Sequence, residues 1–377
     1  MQDYRSNNFI KIWWRGVDQQ AIIAFIILIS FSLMLVTTTS AAIAEKIGLV
    51  DNYFSSRQVI YLIIAAMIVV VFSSFDKKWI KRIGILGFIL SVITLALVKF
   101  YGYEVKGATR WIKIAGFSYQ PSEFMKPFFA IVTGWILSLK YEEDFPSVSV
   151  CAFLYVMIAI LLIIQPDIGM LILTTAVFAT QLFIAGLPSI WIAIALIGSF
   201  IGILSAYALL PHVTTRINSF LNPEAAENYQ VTKSILAFEH GGLYGRGPGE
   251  GAIKQYLPDS HTDFIFAVAG EEFGAIICII IMLVFAFIVL RTLIRLSKEE
   301  DKFVQLASIG LITQFGLQAT INMGVTLNLL PTKGMTLPFI SYGGSSTLAI
   351  AITVGMLLGL TKRKTSLVKY RVQHDDI

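Results

Sequence analysis

Ala21-Ile-Ile-Ala-Phe-Ile-Ile-Leu-Ile-Ser-Phe-Ser-Leu-Met-Leu-Val-Thr-Thr-Thr-Ser-Ala-Ala42 carries no charged residue. A helix of about 20 apolar residues crosses the hydrocarbon core of a bilayer. The run is too long for the core of a cleaved leader and has no persuasive cleavage site, so it reads as a retained anchor. Working outward, further apolar runs follow at 58–75, 83–100, 124–139, 148–164, 167–186, 188–210, 264–290, 303–323 and 343–360. Exposed backbone cannot cross lipid, so each is expected as a helix. Pro166, Pro188 and Pro338 stand at joints between runs, where the missing N–H of proline does no harm. The expected fold is all-α: a polytopic integral membrane bundle of about ten helices, one domain over residues 1–377.

Composition agrees. The chain is 56% hydrophobic and 14% charged, against about 25% charged in an ordinary soluble chain. A soluble enzyme and an intrinsically disordered chain are both excluded. Cys151 and Cys278 fall in apolar runs, which speaks against a disulfide framework or zinc site. An even number of crossings puts both termini on one side. That side takes most of the basic clusters, in 76–82, 291–302 and Lys362-Arg363-Lys364. The positive-inside rule places it in the cytoplasm. The net charge of +5 then reports topology and lipid headgroups, not nucleic acid. Two large connections face outward, 101–123 and 211–262; the second lies between helices 7 and 8.

Those two connections hold the polar chemistry. The first contains Lys106-Gly-Ala-Thr-Arg110-Trp111 and leads into Gln120-Pro-Ser-Glu123-Phe-Met-Lys126-Pro127. Pro121 suits the first turn of a helix, with Glu123 near its positive end. Glu123 and Lys126 share a face, and Pro127 removes the partner of the Glu123 carbonyl, so a kink is expected there. The pair is either a structural ion pair at a span entrance or the lining of a polar cavity. The second connection contains Arg216, Lys233-Ser234, the glycine run Gly241–Gly251 and His261-Thr-Asp263-Phe264. The glycine run is no P-loop. It is either a tight flexible turn or a set of backbone donors for phosphate. Asp263 opens a long apolar run: it is an acid supporting a helix start or a general base at the water–lipid boundary. Glu271 and Glu272 lie about 12–14 Å deeper and call for partners inside the bundle.

In order along the chain, Lys106–Trp111, Gln120–Lys126, Arg216 to Pro223, the glycine run, His261–Gly274 and Asn322 to Ser346 resemble the SEDS proteins (shape, elongation, division and sporulation). These are bacterial peptidoglycan glycosyltransferases. The resemblance runs from the first span to the last. Asn322-Met-Gly-Val325 and Leu330-Pro-Thr-Lys-Gly-Met-Thr-Leu-Pro338 look like the cell-division branch rather than the elongation branch. Asn328 departs from the pattern, standing where glycine is common. The resemblance implies polymerisation of lipid II at the outer face of the bacterial cytoplasmic membrane, at the division septum, with undecaprenyl pyrophosphate leaving. The family's essential carboxylate maps onto Asp263 and its Glu–Lys pair onto Glu123 and Lys126. Arg110, Lys126 and Arg216 become candidates for the diphosphate, and Glu123, Trp111 and His261 for positioning. Implied partners are a class B penicillin-binding transpeptidase, other divisome membrane proteins and the bilayer.

Chemistry sharpens that expectation. Glycosidases need two carboxylates because an alkoxide leaves poorly. A diphosphate leaves as a stable anion, so one base, inversion and a positive clamp suffice. Desolvation at the membrane boundary strengthens a carboxylate base. A divalent cation, Mg²⁺ or Mn²⁺, is expected to share the diphosphate charge without a dedicated cage. The competing readings are a lipid II flippase, for which Glu271 and Glu272 would line a path, and a non-catalytic division scaffold.

Overall fold

The computed structural model describes residues 9–46, 48–105, 108–114, 116–141, 145–188, 229–332 and 334–362, with isolated positions between 190 and 218. Its helices are α1 (Phe9–Gly16), α2 (Gln19–Lys46), α3 (Tyr53–Ser74), α4 (Lys77–Tyr101), α5 (Pro121–Leu139), α6 (Ser147–Ile164), α7 (Ile168–Ile184), α8 (Tyr229–Gly241), α9 (Ile265–Leu296), α10 (Lys302–Thr326) and α11 (Gly344–Leu360). Every expected apolar run outside 188–210 contains one of these helices. Most of 188–210 lies outside the described residues.

Among the described residues, α2, α3, α4, α6, α9 and α10 are long and apolar enough to cross a membrane. The helices α7 and α11 are apolar but shorter, and α5 is explained by burial. In α5, 16 of 19 residues are buried, so it forms the axis of the bundle and needs no lipid-facing surface. It packs chiefly on α4 and α10, while α11 packs on α3. Close approach depends on small residues: a Cβ on Gly134 would come within 2.6 Å of the Ala307 backbone. Gln181 of α7 pins this core, donating to the carbonyls of Ala130 at 2.8 Å and Leu306 at 3.1 Å while accepting from Thr133 at 2.7 Å. The helix α5 runs on through Pro127, so the kink expected there does not interrupt it.

The loop 101–123 departs from the all-α expectation. It holds a three-stranded antiparallel meander, β1 (Tyr103–Val105), β2 (Ala108–Ile114) and β3 (Phe117–Tyr119), in the order β1-β2-β3. Strands this short are marginal alone. Ser345 at the start of α11 anchors the sheet by donating to the Ser118 carbonyl at 2.5 Å and accepting from the Gln120 N–H at 3.2 Å.

The two ends of the bundle differ in charge. At one end Asp18 accepts from Arg291 at 2.9 Å and Arg295 at 3.3 Å, Lys77 pairs with Asp301 at 2.5 Å, and Lys302 lies over the Tyr141 ring. The residues that share this basic end are those the positive-inside argument groups together. Tyr141 donates to the Ala185 carbonyl at 2.9 Å, so α7 ends here. At the opposite end α8 is fastened to α10, Ser234 donating to the Thr326 carbonyl at 2.7 Å. The chain therefore enters the 187–228 stretch at the basic end and leaves it at the other.

Burial alone would raise the Asp18 carboxyl, but hydrogen bonds from Arg291 and the Ala21 N–H and the charges of Arg291 and Arg295 hold it below its ordinary value. A depressed native pKa stabilises fully above the unfolded-state value and loses its effect as pH falls through the native one. Asp18→Asn is expected to lower Tm at pH 7 and to shrink the loss of Tm on acidification. Acidification curves of equal slope in both proteins would contradict this.

One helix is broken where it matters. Gly274 inside α9 has φ 80° and ψ 176°, a region open essentially to glycine alone. The turn 241–247 supplies the bonds the break removes. Ala275 N–H donates to Gly242 at 2.9 Å and Ile276 N–H to Leu243 at 3.3 Å, while Arg246 and Gly247 N–H donate to Glu271 and Glu272 carbonyls, each at 3.0 Å. The side chains below brace the same loop. Glu271 accepts from the N–H groups of Ile253 at 2.7 Å and Lys254 at 3.0 Å, and meets His240 Nδ1 at 3.1 Å. Glu272 pairs with Lys254 at 2.5 Å, and Lys254 also donates to the carbonyls of Gly249 and Thr38. The glycine run is thus a docking strip. A Cβ at position 274 would sit 2.3 Å from the Leu243 carbonyl oxygen. Gly274→Ala is expected to cost about 1–3 kcal/mol in backbone strain alone and to expose 241–254 to protease. An unchanged digestion pattern and Tm would count against the docking role.

Candidate active site

Asp263 stands just ahead of α9, on a turn in which the N–H groups of Thr262 and Phe264 both donate to the Asp259 carbonyl, at 3.0 and 3.2 Å. Three contacts lock that turn to the segment before α11. Ser341 donates to the Thr262 carbonyl at 2.5 Å. Tyr342 N–H donates to the His261 carbonyl at 2.9 Å. Asn322 of α10 donates to the carbonyls of Asp263 at 2.8 Å and Met335 at 2.6 Å. The carboxylate faces a small recess lined by Gln230, Phe264, Asn322, Val325, Thr332, Gly334 and Met335. Glycine at 334 keeps that approach open, since a Cβ there would lie 3.3 Å from Asp263 Oδ2.

A buried polar chain runs from the bundle axis to this recess. Lys126 Nζ lies 2.9 Å from Glu123 Oε2, both side chains almost fully buried. The geometry is that of an ion pair, and Lys126 gives a hydrogen bond to Gln318 Oε1 at 2.9 Å. Gln318 in turn donates to the Thr336 carbonyl at 3.1 Å and to its hydroxyl at 3.3 Å. Gln318 and Asn322 are four apart on one face of α10, and together they hold 335–336 beside Asp263. The reading of 303–323 as a plain span passes over Gln318; the signal was a glutamine inside an apolar run.

The family is decided by comparison over the whole chain. A family model described as "Cell cycle protein", of the FtsW/RodA/SpoVE type, matches residues 19–366. The chain belongs to this family. A probable peptidoglycan glycosyltransferase FtsW of Caulobacter vibrioides is 40% identical over 358 residues, covering 94% of this chain and 92% of the relative. Its counterpart in Trichlorobacter lovleyi is 34% identical over 364 residues, covering 91% and 93%. Two solved structures share the fold. A chain in a peptidoglycan synthase complex described as coordinating polymerization and crosslinking superposes with TM-score 0.77 at 22% identity, covering 92% of this chain and 98% of that one. The rod shape determining protein RodA of Thermus thermophilus gives 0.70 at 21%, covering 92% and 97%. The protein is a multi-pass membrane protein with the architecture of the FtsW/RodA/SpoVE family.

Arg110, on β2, donates to the carbonyls of Gln165 and Pro166 and lies 3.7 Å from Asp167. Asp167 caps α7 and accepts from Ser122 at 3.4 Å, so Arg110 ties the sheet to the start of α5. Trp111 pairs with Tyr103 across β1 and β2. The His261 ring packs between Phe54 and Tyr342, with centroids 4.7 and 5.4 Å away. Arg216 lies outside the described residues. The recess brings Asp263 together with Gln230 and Thr332, which the sequence marks as a polar loop residue and part of a branch motif but does not assign to a site. Among the described residues no three His, Cys, Asp or Glu side chains gather to hold a metal.

Proposed function

We propose that the protein is a peptidoglycan glycosyltransferase of the FtsW branch that polymerises lipid II in septal wall synthesis. Asp263, presented at the mouth of its recess, carries this reading. Asp263 takes the proton from the acceptor sugar hydroxyl. The hydroxyl oxygen forms the new bond to the anomeric carbon with inversion, and the bond to the diphosphate breaks with its electron pair leaving on undecaprenyl pyrophosphate. The proton passes from Asp263 to water. Arg110 and Lys126 act as positioning residues, their charges engaged by Asp167 and Glu123, and Arg216 meets the diphosphate. The recess faces outward if the basic end is cytoplasmic.

FtsW is the name of the relatives at 34–40% identity, which favours division over elongation. The synthase complex among the structural neighbours supports a crosslinking partner, here a class B penicillin-binding transpeptidase. Other divisome proteins complete the expected company. The flippase reading loses its best support because Glu271 and Glu272 brace the loop 241–254. Purified protein in lipid II vesicles is expected to lengthen glycan on the accessible face without moving lipid II across. Translocation without polymer would establish the alternative.

A further inference from the structure

Arg57 lies on the second turn of α3, exposed at the same end of the bundle as the Asp263 recess. Its guanidinium lies over the Tyr53 ring, 4.6 Å from the centroid, and its charge acts on the Tyr342 hydroxyl. Tyr342 packs against His261 and Phe54, and its N–H holds the His261 carbonyl. The aromatic frame therefore links Arg57 to the turn that presents Asp263. Among the described residues no carboxylate pairs with Arg57, whereas Arg110, Lys126 and Lys254 are each engaged by one. A guanidinium has five donors in a fixed fork, and the Tyr53 ring beneath it limits where that fork can go.

A guanidinium seated on an aromatic ring at a membrane boundary, with no carboxylate partner among the described residues, matches a phosphate oxyanion better than a sugar or an apolar tail. We propose that Arg57 is a binding residue for the diphosphate of a polyprenyl-linked substrate or product, held for that task by Tyr53 and Tyr342. The inference rests on the glycosyltransferase reading for its choice of ligand, and adds a cation that the sequence motifs did not bring out.

The test measures binding apart from turnover. Full-length protein in nanodiscs is titrated with undecaprenyl diphosphate and, separately, with undecaprenol. Arg57→Ala is expected to weaken diphosphate binding about tenfold to a hundredfold and to leave undecaprenol unchanged. Arg57→Lys, which keeps the charge without the fork, falls between. Equal weakening for both ligands would mean that Arg57 only supports the fold, and no weakening for the diphosphate would remove it from the site. Either result overturns the proposal. A wild-type protein that makes no polymer would overturn the catalytic reading and still leave this comparison decisive for Arg57.

Discussion

Asp263→Asn is expected to lower kcat for lipid II polymerisation by about 10²–10⁴-fold, the usual contribution of a positioned general base. Its fold should survive. The contacts that lock the turn use the main-chain carbonyls of His261, Thr262 and Asp263, all retained in the variant. The recess should still bind substrate, so KM should move little while kcat collapses. Asp263→Glu keeps the base but pushes it toward Gly334, where the approach is already tight, and should recover part of the rate. A steady-state comparison at fixed detergent and lipid settles it: equal losses in kcat and binding would mean that Asp263 shapes the recess without acting as the base.

Lys126→Ala is expected to cost about 3–5 kcal/mol of stability, because it leaves Glu123 buried without its countercharge. Glu123→Gln with Lys126→Met removes both charges at similar volume and should return most of that stability. Gln318 would still lose its Lys126 partner, so its hold on Thr336 would slacken and catalysis would stay impaired. Thermal unfolding and polymerisation of the single and double variants separate the two effects. If the double variant regains full activity with its stability, the pair serves folding alone.

The apolar runs were legible because bilayer thickness sets helix length, whatever the helix packs on. Asp263 stood out through the family resemblance; its place ahead of a long apolar run fits an acid supporting a helix start as well as a general base. The sheet in 103–119 was not legible, since strands of three to seven residues carry too little period and depend on Ser345 far along the chain. The break in α9 was hidden because a single glycine in a span is ordinary. Only the docking of 241–247 turns Gly274 into an interruption. The chain from Glu123 to Thr336 was half visible. Its local pair follows from helix spacing, but Lys126 meets Gln318 across 192 residues of sequence. Arg57 was passed over because an arginine near a span end is a common boundary residue, and its seat over the Tyr53 ring appears only in the folded chain.

On the proposed mechanism, glycosyl transfer takes place at the Asp263 recess with this carboxylate as base. Polymer formed from purified lipid II by the wild-type protein and by Asp263→Asn, at matched folded protein in the same membranes, tests it most directly. The wild type should release undecaprenyl diphosphate as glycan lengthens, and the variant should do neither at a measurable rate. Polymer from Asp263→Asn at the wild-type rate would contradict the account.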